Sequence, residues 1–554
     1  MKRSNVFGDV PVLRHSRSRF DLSHGVKTSG NVGKLYPFEV QEVYAGDTFK
    51  IKTSCVARLS SQFLRPVMDN LFLDMYYFFV PSRILYDKFV NIFGENTDSP
   101  WANSVEYEVP TMKDFQIPPK TVGDYLGLPA GTGSSISVPV NILPFRAFAK
   151  IYDDWFRDQN NINPMHVQKG ELSAFEQPNN AKWSPQNYFG QLPDVGKFHD
   201  YFTSSLPAPQ KGSAVDVPFN AVGEAPVITV QGGNANPQYR LNWNYLDDVP
   251  DAGVMKGYPV TDDGNYVFDS GASSYVVSGG SLPDNFNIAP RNLFADMSAV
   301  QFGGTTVNDL RFAFQYQKML ERDARSGTRF VEYLASHFGV SAGDYRLQRS
   351  EFLGGRRVPI SIQQVTQTTG SDSDTSPLGS LGAYSVTGGK SRFTKSFTEN
   401  GYVIGVFCIR QHHTYQQGVE KFWTRKKRTD FYDPVFSHIG EQPVMKTELY
   451  GSAETDEVFG YNEAWADLRY RSNRVSGQMR TGVTDSLDFW HFADYYNNPP
   501  SLNEQFINET PDYVNRAITV DSTKQDQFIL DFWVQNIAYR VLPTYSVPSL
   551  VDHD

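Results

Sequence analysis

Apolar and polar residues alternate through most of Phe49–Arg58, the pattern of a strand with one face in a core and one in solvent. Leu71–Val80 is different. It is apolar almost without a break, interrupted only by Asp74, which predicts a strand buried on both faces. Pro81 ends it, having no N–H to give a ladder. Ser82 then stands where a helix N-cap belongs, and Leu85, Phe89, Ile92 and Phe93 share one helical face up to Gly94. Residues 95–143, punctuated by prolines, predict loops and short strands. Leu143–Pro164 predicts a helix with Pro144 in its first turn and Phe145, Phe148, Tyr152, Trp155 and Phe156 on its apolar face. Helical periodicity returns over 306–327 and 328–339, the second stopped by Gly339. Pro359–Val365 alternates again. Ser371–Lys390 is rich in Ser, Thr, Asp and Gly and predicts a mobile surface loop. Gly401–Arg410 predicts a second deeply buried strand.

Residues 213–305 lose all helical periodicity. Eight aspartates face only Lys256 and Arg291 between Leu241 and Val300, and short strands are predicted at Tyr266–Phe268 and Tyr275–Val277. A loop of this length inside a compact domain is uncommon, so we expect a small β-containing insertion with a task of its own. Its acidic, aromatic and glycine-rich tips suit adaptable recognition.

Composition sharpens this outline. The chain has 554 residues, a formal charge of −10 and 14% aromatic residues, with Gly and Pro spread throughout, which favours a β-rich fold with elaborated loops. Two cysteines, Cys55 and Cys408, cannot make a disulfide framework and sit in apolar strands, so they are expected as buried free thiols. No apolar h-region follows the N-terminus, and no apolar run approaches the length needed to span a membrane. Against the acidic whole, residues 1–34 stand out as a basic arm. Lys2, Arg3, Arg14, Arg17, Arg19, Lys27 and Lys34 outnumber Asp9 and Asp21, and the segment is expected to be extended or disordered on its own. It can neutralise phosphates or be an ordinary solvated terminus. Lys421, Arg425, Lys426, Lys427 and Arg428 interleave with Phe422 and Trp423. That run suits phosphates and an unpaired base, and equally a salt-bridged face between subunits.

Four stretches carry a resemblance. MYYFFVPSRILYDKF, the helix ending Trp155-Phe156-Arg157-Asp158, HDYFTSSLPAPQKG and IGEQPVMKTELYG resemble the major capsid proteins of the Microviridae, in particular the gokushovirus branch. Tyr152-Asp153-Asp154 departs from a usual Trp-Asn-Glu, Gln159 from a Glu, and Ala208 from a Trp. The resemblance covers nearly the whole chain outside 213–305. It implies a mainly β fold, an eight-stranded antiparallel jelly roll with long inter-strand insertions and a few short helices. The basic arm would be 1–34, the capsid domain 35–212 with 306–554, and 213–305 a threefold surface protrusion. It further implies pentamers assembling into a T=1 icosahedral shell around circular single-stranded DNA. Internal scaffolding protein, DNA pilot protein and a host cell-surface receptor would be partners, in a virion made in the bacterial cytoplasm. Tyr258, Asp262, Asp263, Tyr266, Phe268 and Tyr275 are the candidate receptor surface.

Enzyme signatures fail on inspection. Gly389-Lys390-Ser391 lacks the upstream glycine of a phosphate loop, that place being Tyr384. His412 and His413 would point to opposite faces of a strand and could not chelate together. No zinc or nucleophile motif occurs, no cofactor is expected, and no spacing identifies a divalent cation site. The competing function is a carbohydrate-binding or carbohydrate-cleaving β protein, for which aromatic residues and acidic loops would serve.

Overall fold

The computed structural model describes residues 16–95, 107–131, 135–172, 183–215 without 185, 307–366 without 328, 368 and 381–545; between 216 and 306 it describes short strands by their backbone pairing. The chain forms two compact units, Met1–Gly212 with Leu320–Asp554, and Ser213–Met319.

The larger unit is built on ten strands: β1 (Ser18–Asp21), β2 (His24–Gly30), β3 (Tyr36–Val43), β4 (Thr48–Leu59), β5 (Leu71–Pro81), β6 (Glu351–Pro359), β7 (Ile362–Thr366), β8 (Leu381–Ser396), β9 (Gly401–Gln411) and β10 (Phe528–Arg540). All their pairings are antiparallel. Sheet one runs β2-β10-β4-β8-β7, with β1 sharing the β2 edge of β10; sheet two runs β6-β5-β9-β3. Except at β1–β2, β5–β6 and β7–β8, successive strands cross from one sheet to the other, in jelly-roll order. Sheet one has six strands, β1 and β7 included, and sheet two has four.

Side-chain alternation explains the layers. In β10, Phe528, Leu530, Phe532, Val534 and Ala538 are buried while Ile529, Asp531, Trp533 and Gln535 are exposed; β4 alternates the same way. β5 and β9 are buried nearly throughout, because sheet two has a layer on each side. Towards sheet one, Phe38 stacks on Phe532 at 4.3 Å, Tyr77 meets Phe393 at 5.1 Å, and Thr53 hydrogen-bonds the Tyr77 hydroxyl. On the other side lies α1 (Leu143–Ile151), anchored by fully buried Arg146, whose guanidinium donates to the carbonyls of Leu85 (3.0 Å) and Gly170 (2.8 Å). Asp74, the one break in the β5 run, is fully buried and bridges Arg357 (2.7 Å) and Arg410. Both guanidiniums lie over the Phe198 ring, at 4.0 and 4.3 Å. Cys55 and Cys408 are buried free thiols, each pushed up to about 12 by burial.

Several local expectations need correction. Ser82 caps no long helix. A 3₁₀ turn covers Ser82–Ile84 with Pro81 at its N-cap, the α-helix is only Phe89–Ile92, and Phe93 is exposed. After α1 the backbone widens into a π turn, Tyr152–Phe156. That turn carries Trp155 off the buried face; its ring is 37% exposed, Nε1 donates to Ser350, and Arg349 lies 4.3 Å above it. From Leu381 the supposed surface loop is strand β8. From Ser18 the basic arm is strand, paired to β10 as β1 and β2. Two helices occur where expected, α2 (Val307–Ser326) and α3 (Phe330–Phe338), the latter closed by Gly339 in the left-handed conformation (φ 67°).

The smaller unit contains short antiparallel strands, among them a hairpin of Tyr266–Asp269 with Ser274–Val277.

Candidate nucleic-acid interface

Sheet one has a core behind it and an open face in front. Period-two alternation decides which side chains reach that face, and antiparallel register decides which lie side by side. On β4 they are Lys50, Lys52, Val56 and Arg58; on β8, Lys390, Arg392 and Thr394; on β10, Ile529, Asp531, Trp533, Gln535 and Tyr539. Lys27 joins from β2 and Arg19 with Asp21 from β1. Register places Gln535, Lys52 and Arg392 in one row across three strands, and Gly25, Trp533, Ser54 and Lys390 in the next.

Seven cations therefore share one surface with two carboxylates, Asp21 and Asp531, in a chain of net charge −10. Asp531 lies 3.8 Å from Lys27, both well exposed, so this pair neutralises little. Cations two apart on one strand are about 7 Å apart, and neighbouring strands about 5 Å, giving a regular grid of positive charge. Trp533 projects from its middle with 55% of its surface free. The notch beside it is glycine; a Cβ on Gly25 would touch the indole at 3.6 Å. A cationic grid with one upstanding indole is the pattern that neutralises phosphates and stacks an unpaired base.

Of the residues expected to bind nucleic acid, Arg19 and Lys27 lie on this face, and Arg17 is exposed just before β1. Lys2, Arg3 and Arg14 lie outside the described residues. Lys421, Trp423, Arg425, Lys426, Lys427 and Arg428 are elsewhere, in the long connection from β9 to β10, on two 3₁₀ turns (Lys421–Thr424 and Arg428–Asp430) and the link between them. Arg425 is not free for phosphate, since it pairs with Asp467 in its own chain. Of the candidate receptor residues, Tyr258, Asp262 and Asp263 lie outside the described residues; Phe268 and Tyr275 are register partners in the hairpin that also holds Tyr266. The grid residues Lys50, Lys52, Arg58, Lys390, Arg392 and Trp533 escaped the sequence reading. Their signal was present, as cations spaced by two within FKIKTSCVAR and GGKSRFTK.

A second polar cluster is buried beyond the end of β9. His413 hydrogen-bonds Asp494 through Nδ1 (2.7 Å) and Glu509 through Nε2 (3.0 Å), and Lys197 reaches Asp494 at 3.2 Å. These groups neutralise one another, so the cluster ties segments together. Among the described residues no helix is long and apolar enough to cross a membrane.

The comparisons with known proteins agree with this architecture. Residues 8–550 match the family model described as Capsid protein (F protein). The chain is 37% identical to Capsid protein VP1 of Bdellovibrio phage phiMH2K, over 98% of this chain and 97% of that one. It is 35% identical to Capsid protein VP1 of Chlamydia phage 1, over 99% and 98% of the two chains. With Capsid protein VP1 of Spiroplasma virus 4 the identity is 36%, over 96% and 95%. These matches displace the carbohydrate-active reading and make the molecule a structural component of a virion, with no enzymatic role. Jelly-roll order in two sheets and full-length similarity to three phage coat proteins lead to one assignment: the chain belongs to the phage capsid protein (F protein) family.

Proposed function

We propose that this capsid protein assembles through pentamers into a T=1 icosahedral shell around a circular single-stranded DNA genome, with the open face of sheet one turned to the DNA. The observation that carries this is the charge of that face: seven cations and two carboxylates on a chain of formal charge −10. A genome is the one polyanion such a shell must hold, and a grid of cations with Trp533 at its centre recognises backbone and base without a sequence code. Lys2, Arg3 and Arg14, which precede β1 in the sequence, belong to the same proposed contribution to DNA binding. Scaffolding and pilot proteins assist assembly in the bacterial cytoplasm on this reading. The acidic insertion 213–305, with Tyr266, Phe268 and Tyr275 on its hairpin, meets the host receptor.

The test is the double variant Lys52→Glu with Arg392→Glu, measured for binding to a single-stranded oligonucleotide across a salt series and for DNA content of purified shells. Each lost phosphate contact lowers the slope of log affinity against log salt by about 0.7, so the double variant should lose about 1.4. Shells should still form but hold less DNA. An unchanged slope together with unchanged DNA content would reject this face as the genome contact.

A further inference from the structure

The connection between β9 and β10 contains a rigid ledge, residues 421–439. It is made of three 3₁₀ turns, Lys421–Thr424, Arg428–Asp430 and Pro434–Phe436. Asp430 accepts from the backbone N–H groups of Lys426 (2.9 Å) and Lys427 (2.8 Å). Asp433 accepts from that of Val435 (3.0 Å). Trp465 Nε1 donates to the Phe436 carbonyl (2.8 Å), and Lys421 Nζ to that of Pro443 (3.1 Å). The backbone is thus tied before anything binds, yet many of the side chains it presents are apolar. Val435 is 82% exposed and Trp423 71%, with Phe431, Tyr432 and Ile439 about half exposed. So large an apolar surface on a stiff loop is a contact site.

Nucleic acid is a poor occupant. It would use the rings for stacking and the cations for phosphates, but Val435 and Ile439 offer a base no π face and would be wasted against sugar and phosphate. Another protein surface accounts for all of them: an apolar centre with cations at the rim. Lys426, Lys427 and Arg428 are exposed and carry no ion pair among the described residues. The matching surface must be acidic. Because the open face of sheet one sums to +5 while the chain totals −10, the rest of the chain sums to −15, which makes acidic patches available on a neighbouring copy. We propose that the 421–439 ledge is a subunit–subunit contact, docking on an acidic surface of a neighbouring copy of this chain in the shell. This needs only the self-assembly that the family shares, and stands apart from the DNA face of sheet one.

Two measurements test it. Hydrogen–deuterium exchange of side-by-side samples, unassembled protein and closed shells, should show 421–439 strongly protected on assembly, equally so in shells emptied of DNA. No protection, or protection only where DNA is present, overturns the proposal. In parallel, Val435→Asp should keep the wild-type melting temperature and oligonucleotide affinity while lowering shell yield at least tenfold. Should that variant fail to fold, Lys426→Glu with Lys427→Glu, both on exposed positions, replaces it with the same expectation. Wild-type shell yield from the variant that folds counts against the ledge, whatever its oligonucleotide binding.

Discussion

His413 shows how much a single side chain can depend on residues far away in sequence. Burial alone would push its imidazole down, but the carboxylates of Asp494 and Glu509 overcome this and hold it up at about 9. Asp494 answers in the other direction. Burial would raise it, yet His413 and Lys197 hold it down at about 2. His24 forms a smaller version of the same pair. Its hydrogen bond to buried Glu39 (2.7 Å) raises it to about 9 and clips β2 of sheet one to β3 of sheet two. Both histidines bind their proton more tightly in the folded chain than in the unfolded one, whose value is near 6.5. Their stabilisation is therefore complete below about 6.5, declines as pH rises, and is gone above about 9. A melting series from pH 6 to 10 should fall through this window, and His413→Gln should flatten the fall; an equally steep fall in the variant would place the titration elsewhere. Sequence offered no hint of this cluster, because the partners of His413 lie 81 and 96 positions away and share no motif spacing with it.

At the scale of elements, legibility followed the contrast between the two faces of each strand. β4 announces itself by alternation because its outer face meets solvent, and β5 by continuity because both of its faces are covered. β8 is hidden for an equally physical reason. As far as Ser391 its buried face carries only small residues, Ala383, Ser385, Thr387, Gly389 and Ser391, and Phe393 is the one large apolar side chain turned inward after them, so no hydrophobic period marks it. Those residues are small because sheet two crowds them. A Cβ on Gly389 would come within 2.9 Å of the Met75 methyl and 3.1 Å of Val358. Gly389→Val should cost about 1–3 kcal/mol by overpacking, read as a lower midpoint in urea. A midpoint within error of wild type would show that the two sheets have room there. The π turn after α1 was illegible too, since a helix that widens by one residue keeps its apolar spacing until the widening moves Trp155 aside.

For the whole molecule, charge is uneven: the open face of sheet one is net positive, the ledge at 421–439 carries exposed Lys426, Lys427 and Arg428, and the sequence is strongly acidic along 241–300. The sequence conveyed the net charge and the acidic insertion directly. It did not convey the positive face, whose cations come from strands scattered from Arg19 to Arg392 and meet only through register. If the insertion serves attachment, replacing residues 225–300 with a short Gly-Ser linker should leave shell formation intact and reduce adsorption to host cells. Normal adsorption by such shells would remove the insertion from that role.

The position of β10 also sets a clock. It lies between β2 and β4, so sheet one stays split, with two bare edges, until residue 528 onward has been made. At roughly 5–20 residues per second, that is about half a minute to two minutes of synthesis. Through that interval the open face of sheet one, the surface proposed for DNA, is not yet assembled on a nascent chain.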